Sequence, residues 1–397
     1  MSQEGPVRVL VVDDSALMRN LVGRIIEADP MLTVAAKAMN GSFALQKIER
    51  SAPDFIVLDI EMPEMNGIQF LKERRKRGID IPVVVLSSQA RKGAQVTMDC
   101  LALGASDFLL KPSGPVSQDI HLVAHQLQEM ARSYGSHHRS RHGLVTAPKS
   151  EQPTTPEQAP THGSGQAASA GASTNFAPPR STPHVPPVKA QPEARPARPG
   201  VIALGISTGG PNALRKLFAA LPANLDVPIV VVQHMPAGFT SEFAKSLDRI
   251  CPLEVKEAED GDVLKKGRIL IAPGDHHISV ERRSLAGIAK VFQSPHRNGH
   301  RPSADVLFAS AAEQYRNASL GVIMTGMGRD GAEELGNIYR RGGMTLGQDE
   351  ASSVVYGMPR VAYEMGVVHK QVSLAGMAEA ICEAVFRFDS ETQSSRT

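Results

Sequence analysis

The chain has 397 residues, 42% of them hydrophobic, which exceeds one ordinary core and predicts two domains. A formal net charge of +2 and a pI near 8.4, with Lys and Arg spread along the sequence, argue against a charge-driven nucleic-acid or membrane-surface partner. Cys100, Cys251 and Cys382 lie far apart without CxxC spacing, which argues against a disulfide framework and a zinc site.

The start, MSQEGPVRVLVVDD, lacks a basic segment followed by an apolar stretch. No run approaches the ~18 apolar residues of a membrane span, so the expectation is a soluble cytoplasmic protein without direct membrane insertion. Five short apolar runs follow in residues 5–132: VRVLVVDD, LTVAAKA, DFIVLDIEMP, IPVVVLSS and DFLLKP. Their alternation with helical patterns predicts parallel strands with crossover helices. Asp13 and Asp14 close the first run, Asp59 the third, Ser87 the fourth and Lys111 the fifth. In open α/β sheets the functional crevice lies at the carboxyl ends of the strands, so these residues can converge. Clustered carboxylates need a counter-charge, their hard oxygens suit Mg2+, and Lys111 can pair with a phosphoryl group. A helix cap in DDSALMRNLV accounts for one acid but not for five matched strand ends.

In this order and spacing, DD, DIEMPEMNG, LSS and KP resemble a response-regulator receiver. The resemblance implies a flavodoxin-like, five-stranded parallel sheet of order 2-1-3-4-5, with Asp59 as phosphoryl acceptor. It further implies Asp13, Asp14 and Asp59 as Mg2+ ligands, Ser87 and Lys111 as phosphate contacts, and Phe108 as the switch aromatic.

Residues 133–199 hold twelve prolines with abundant Ala, Gly, Ser and His, a composition that cannot build a core. A flexible linker of that length reaches roughly 40 to 50 Å and tethers without orienting. The histidines of SYGSHHRSRHG could bind metal, but in a disordered basic segment they read as solvated.

From 200 to 390 the alternation resumes with VIALGIS, VPIVVVQHM, RILIAP, LGVIMTGMG and MTLGQDE, which predicts a second α/β domain; 391–397 reads as a disordered tail. The first run enters GISTGG, where Gly205 to Gly209 fit G-x-S-x-G, the tight turn that exposes a serine above a sheet. A Gly-rich phosphate turn is the competitor, yet neither G-x-G-x-x-G nor GK[ST] is present. His234 ends the second run, and Asp330 follows another in a glycine-rich loop. A serine hydroxyl needs a base, and the base needs a carboxylate to fix its tautomer. Ser207, His234 and Asp330 can fill these roles. Their chain order, Ser, His, Asp, disfavours an ordinary α/β-hydrolase. Neither a helix-turn-helix nor a basic recognition stripe supports a DNA-binding output.

GISTGG, VVQHMP, APGDHH, HRPSADVLF, MTGMGRDGAEEL and QDEASSVVYGMP resemble the chemotaxis protein-glutamate methylesterase family, as does the receiver-linker-esterase order. The resemblance implies a Rossmann-like, doubly wound hydrolytic domain. It implies hydrolysis of glutamate methyl esters on methyl-accepting chemoreceptors, with release of methanol, and deamidation of glutamines, through an acyl-enzyme on Ser207. It also implies Thr208 and the Met327 backbone near the oxyanion and substrate site, no cofactor for hydrolysis, a chemotaxis histidine kinase as phosphodonor, and recruitment to receptor arrays. The unphosphorylated receiver is expected to cover the active-site entrance. His276, His277 and Arg301 lie in loops that could meet the substrate. A receptor-docking response regulator without catalysis is the alternative, and intact Ser207, His234 and Asp330 speak against it.

Overall fold

The computed structural model describes residues 5–87, 91–111, 120–142 and 191–394. The first domain runs β1 (Val7–Val12), α1 (Ala16–Glu27), β2 (Leu32–Ala38), α2 (Gly41–Ser51), β3 (Phe55–Asp59), α3 (Gly67–Lys76), β4 (Val83–Ser87), α4 (Arg91–Ala102), β5 (Asp107–Leu110) and α5 (Ile120–Arg141). The strands pair in parallel in the order β2-β1-β3-β4-β5. β3 and β4 are buried along their whole length because helices cover both faces. Helix starts are set by side-chain caps: Asn40 accepts from Phe43 N, and Asn66 and Gln69 form a capping box.

α5 continues nine residues past the expected boundary at 132, into the stretch that composition assigns to the linker. Long-range contacts hold this extension. The Tyr134 ring stacks on Phe55 with centroids 6.1 Å apart, its hydroxyl donates to Ser106 O, and Arg139 Nε donates to Asp54 Oδ2 at 2.8 Å. At the other end, Glu193 N and Ala197 N already donate to the second domain at Arg340 O and Asn317 O, so packed backbone begins before residue 200. The remainder of the expected linker, 143–190, lies outside the described residues.

The second domain runs β6 (Val201–Ile206), α6 (Gly210–Ala219), β7 (Ile229–Gln233), α7 (Phe239–Asp248), β8 (Glu254–Glu257), β9 (Arg268–Ile271), β10 (His277–Arg282), β11 (Gly287–Phe292), α8 (Ala304–Tyr315), β12 (Ser319–Ile323), α9 (Ala332–Arg340), β13 (Met344–Gln348), α10 (Met358–Glu364), β14 (Lys370–Val372) and α11 (Met377–Ser394). Seven strands form one parallel sheet, β14-β13-β12-β6-β7-β9-β8, and β10 and β11 form a separate antiparallel hairpin. All five predicted strands are present. β8, β14 and the hairpin were not foreseen. α11 reaches Ser394, so most of the expected tail is helical. No described helix is long and apolar enough to cross a membrane.

One apolar cluster passes from β3, β4 and β5 of the first domain into α6 and α7 of the second. At this seam Phe108 stacks on Phe239, with centroids 5.1 Å apart and planes 7° from parallel. Gly209 N donates to Asp107 Oδ2 at 2.7 Å, and Asn212 Nδ2 donates to Ala105 O and Ser106 O.

Candidate active site

The acid cluster of the first domain assembles as expected at the ends of β1 and β3. One carboxylate oxygen each from Asp13, Asp14 and Asp59 lies within 4.8 Å of the others. Asp59 Oδ1 accepts from Ile60 N and Glu61 N at 2.6 and 3.3 Å, which orients the carboxylate. Lys111 Nζ sits 2.7 Å from Asp59 Oδ2 and 3.3 Å from Asp13 Oδ2. Those two oxygens are buried and meet the Lys111 ammonium, and with Asp14 they form an all-oxygen donor set that fits a hard divalent cation such as Mg2+. Burial raises the Asp59 pKa, against the pull of Lys111. Burial also opposes the Lys111 charge, yet the Asp59 hydrogen bond and the Asp59 and Asp13 charges hold its pKa above the usual value. Ser87 and Lys111 line the small cavity over Asp59, and Ser87 Oγ accepts from Thr97 Oγ1 at 2.7 Å.

In the second domain, Ser207, His234 and Asp330 follow β6, β7 and β12, three strands adjacent in the sheet. Ser207 sits in the turn between β6 and α6. Gly209 takes φ 81°, a left-handed conformation that a Cβ disfavours, so the chain can turn straight into the helix. Ser207 N donates to Thr325 O, His234 N to Ile206 O, and Gln233 Nε2 to Ser207 O, tying the turn to its neighbours. His234 Nε2 and Asp330 Oδ2 are 2.8 Å apart, with the Asp330 side chain buried and that of His234 9% exposed. The pairing selects the Nε2–H tautomer. His234 Nδ1 is buried, makes no hydrogen bond, and shares a cleft of about 330 Å³ with Ser207 and Thr208.

Asp330 is held from several sides. Its Oδ1 accepts from Ser303 Oγ at 2.6 Å and Asn298 Nδ2 at 3.0 Å, and its Oδ2 from Ala304 N at 2.6 Å. Burial would push this carboxyl up, but the His234 hydrogen bond and charge, then Ser303 and Asn298, hold it well below the usual carboxylate range. It stays ionised beside the His234 ring, a charge that can orient and steady an imidazole.

The loop between β11 and α8 supplies the residues that sequence reasoning missed. His300 stacks on His234 with centroids 3.7 Å apart and planes 8° from parallel. Burial, then the neighbouring His234, lowers its pKa to about 4, so it packs as a neutral ring. The motif HRPSAD drew attention to Arg301 alone, because a histidine in a glycine-containing loop has no periodic signature.

Arg301 lines the cleft and donates through Nε to Asp275 Oδ1 at 3.0 Å. His277 is fully buried and its Nε2 meets Pro295 O at 3.1 Å, so its role is structural. His276 meets Gly274 O at 3.3 Å through Nδ1 and is not among the cleft-lining residues. Met327 is half-buried and does not line the cleft either, although its neighbour Gly326 is so close to the turn that an added Cβ would come 2.8 Å from Ser207 Cβ.

The opposite wall of the cleft belongs to the first domain: Asp107 to Leu110, Gln126 and Met130. The strand that Lys111 follows therefore also faces the pocket that Ser207 lines.

A phosphate-site α/β domain laid over a serine-histidine-aspartate site defines a response regulator with a hydrolase output. Residues 9–121 match the model of the response regulator receiver domain, and residues 202–381 match that of CheB methylesterase. A Treponema denticola relative is 57% identical over 94% of this chain and 97% of its own length, and a Treponema pallidum relative is 49% identical over 96% and 98%. Both are named protein-glutamate methylesterase/protein-glutamine glutaminase. The solved Thermotoga maritima CheB methylesterase catalytic domain is 37% identical, with 47% of this chain and 99% of that one covered and a TM-score of 0.46. The chain belongs to the protein-glutamate methylesterase/protein-glutamine glutaminase family.

Proposed function

We propose that the protein is a phosphorylation-activated serine hydrolase that removes methyl esters from glutamates of methyl-accepting chemoreceptors and deamidates receptor glutamines. The observation that carries this is the His234 to Asp330 pair, which leaves His234 Nδ1 without a hydrogen bond in the cleft that Ser207 also lines and the receiver walls.

In this reading, His234 Nδ1 takes the Ser207 proton as Oγ bonds to the ester carbonyl carbon. Thr208 and the Met327 backbone, with the Gly209 N–H once Asp107 releases it, stabilise the oxyanion. Collapse breaks the bond to the methoxy oxygen, which receives the proton from His234 and departs as methanol. Water then attacks the acyl carbon as His234 takes its proton, and collapse breaks the bond to Ser207 Oγ, which recovers that proton from His234 as the glutamate carboxyl group is released. A glutamine follows the same course with loss of ammonia. Asp330 fixes the imidazole throughout.

For control, Asp13, Asp14 and Asp59 would hold Mg2+, which neutralises charge as the phosphoryl group reaches Asp59. Lys111 pairs with that phosphoryl group and Ser87 contacts it. Lys111 directly follows β5, the strand that carries Asp107 and Phe108 into the seam. A phosphoryl group drawing on Lys111 therefore favours a β5 position that releases the seam and opens the cleft. The phosphodonor in this reading is a chemotaxis histidine kinase, and the protein works in the cytoplasm at receptor arrays. No feature supports an inactive docking module.

Methanol release from methylated receptor vesicles, with and without acetyl phosphate, tests this. Ser207→Ala should lower turnover by on the order of 10⁶. Activity retained in that variant would remove the triad assignment, and peptide cleavage without methanol would point to a protease.

A further inference from the structure

We propose that Asp80, His138 and His142 form a binding site for a borderline divalent transition ion, of which Zn2+ is the reference case. The site is separate from the receiver's acid cluster. His138 lies in the last turn of α5 and His142 follows its end directly, where His142 N donates to His138 O at 3.2 Å, so the helical spacing of four keeps both on one face. Their rings are 4.5 Å apart and tilted by 47°. Asp80 reaches them from the segment between α3 and β4: its Oδ2 lies 2.9 Å from His142 Nε2, and its Oδ1 lies 3.6 Å from His138 Nε2. One donor atom from each of the three residues lies within 4.8 Å of the others.

A tetrahedral ion with bonds near 2.0 to 2.1 Å separates its ligand atoms by roughly 3.3 Å. The two Asp80 to histidine separations, one through each carboxylate oxygen, bracket that value, and one donor atom from each residue stays within 4.8 Å of the others. Two imidazole nitrogens with one carboxylate oxygen suit Zn2+, Ni2+ or Co2+, whereas Mg2+ and Ca2+ prefer all-oxygen sets. Three protein ligands leave a fourth position for water. Burial, then the neighbouring His142, lowers the His138 pKa, with Asp80 pulling the other way, so its ring is available as a neutral ligand at neutral pH. Two of the histidines that composition assigns to a solvated segment instead stand at the end of a helix opposite a carboxylate.

Position gives the site its consequence. His138 and Asp80 also line a cleft of about 210 Å³ whose far wall includes Gly209, Asn212 and Lys216 of the hydrolytic domain. A bound ion would clamp the last turn of α5 onto the receiver beside the seam.

The test is titration of the full chain with Zn2+ in saturating Mg2+, which occupies the receiver acids, read by calorimetry and by the visible bands of Co2+. Wild type should bind one Zn2+ with micromolar or tighter affinity. His142→Ala should weaken that equivalent about 100-fold and Asp80→Asn about tenfold, while His137→Ala leaves it intact. Zn2+ should raise the wild-type Tm and leave that of His142→Ala unmoved. The His142 side chain is 43% exposed, so its truncation leaves the fold in place. Absence of a micromolar equivalent in wild type, or its survival unchanged in His142→Ala, overturns the proposal.

Discussion

Truncating Phe108 to Ala should raise esterase activity without any phosphodonor. Phe108 is 8% exposed and lies flat on Phe239, which is 1% exposed, so the pair joins receiver to hydrolase through apolar surface. Loss of a buried Phe side chain costs roughly 3 to 5 kcal/mol, part of which falls on the receiver's own packing. The share belonging to the seam is the stack, about 0.5 to 1.5 kcal/mol, plus about half of a Phe side chain's burial, about 1 to 1.5 kcal/mol. Docking then weakens by about 1.5 to 3 kcal/mol, which multiplies the open-to-docked ratio by roughly 10 to 150. Initial rates of methanol release without acetyl phosphate measure that ratio, up to the ceiling set by the fully open enzyme. Phe239→Ala should act in the same direction from the other side, and the double variant should fall short of additivity because both remove one contact. Basal rates equal to wild type in both single variants, with stimulation by acetyl phosphate intact, would refute the reasoning.

Other outcomes follow from the same geometry. Asp59→Asn should keep basal turnover and lose stimulation by acetyl phosphate, and stimulation that persists would contradict the switch. Asp330→Asn should lower turnover by roughly 10⁴, since both carboxylate oxygens accept hydrogen bonds and an amide NH2 must confront a donor on one side. A normal rate would show that another acid orients His234. Asp107 is wholly buried, and burial raises its pKa to about 6 against the Gly209, Phe108 and Tyr134 hydrogen bonds. The folded form thus holds a proton that the unfolded chain gives up. This contribution is complete below about pH 4, declines as pH rises through the window to about 6, and is absent above it, with an upper limit of about 3 kcal/mol. Asp107→Asn should therefore match wild type in Tm near pH 4 and exceed it by ~3 °C or more at pH 7. A variant that is less stable at pH 7 would show that the carboxylate is net stabilising at Gly209.

The chemistry at strand ends was legible because parallel sheets deliver residues that are remote in sequence to one edge. Asp13, Asp59 and Lys111 meet on that account, as do Ser207, His234 and Asp330. The groups that hold Asp330 and His234 were not legible. Asn298, His300 and Ser303 come from one irregular loop, where no period relates a residue to what it touches. The α5 extension was misread for a related reason. Composition registers the lack of large apolar residues beyond 132, whereas the helix is held by Tyr134 on Phe55 and Arg139 on Asp54, contacts that no local window contains. The short strands β8 and β14 carry Glu and Lys at exposed positions, as befits the two margins of a sheet, and so lack an apolar run.

Sheet position separates the two duties of this molecule. Ser207, His234 and Asp330 hang from β6, β7 and β12, each flanked on both sides by other strands, so none can shift without disturbing two ladders. Asp107 and Phe108 ride on β5, with Lys111 just beyond it, and β5 is an outermost strand bonded to β4 alone. In the proposed reading the reacting groups thus sit on anchored interior strands, while the response to a phosphoryl group falls to a margin that can yield at the expense of a single row of hydrogen bonds.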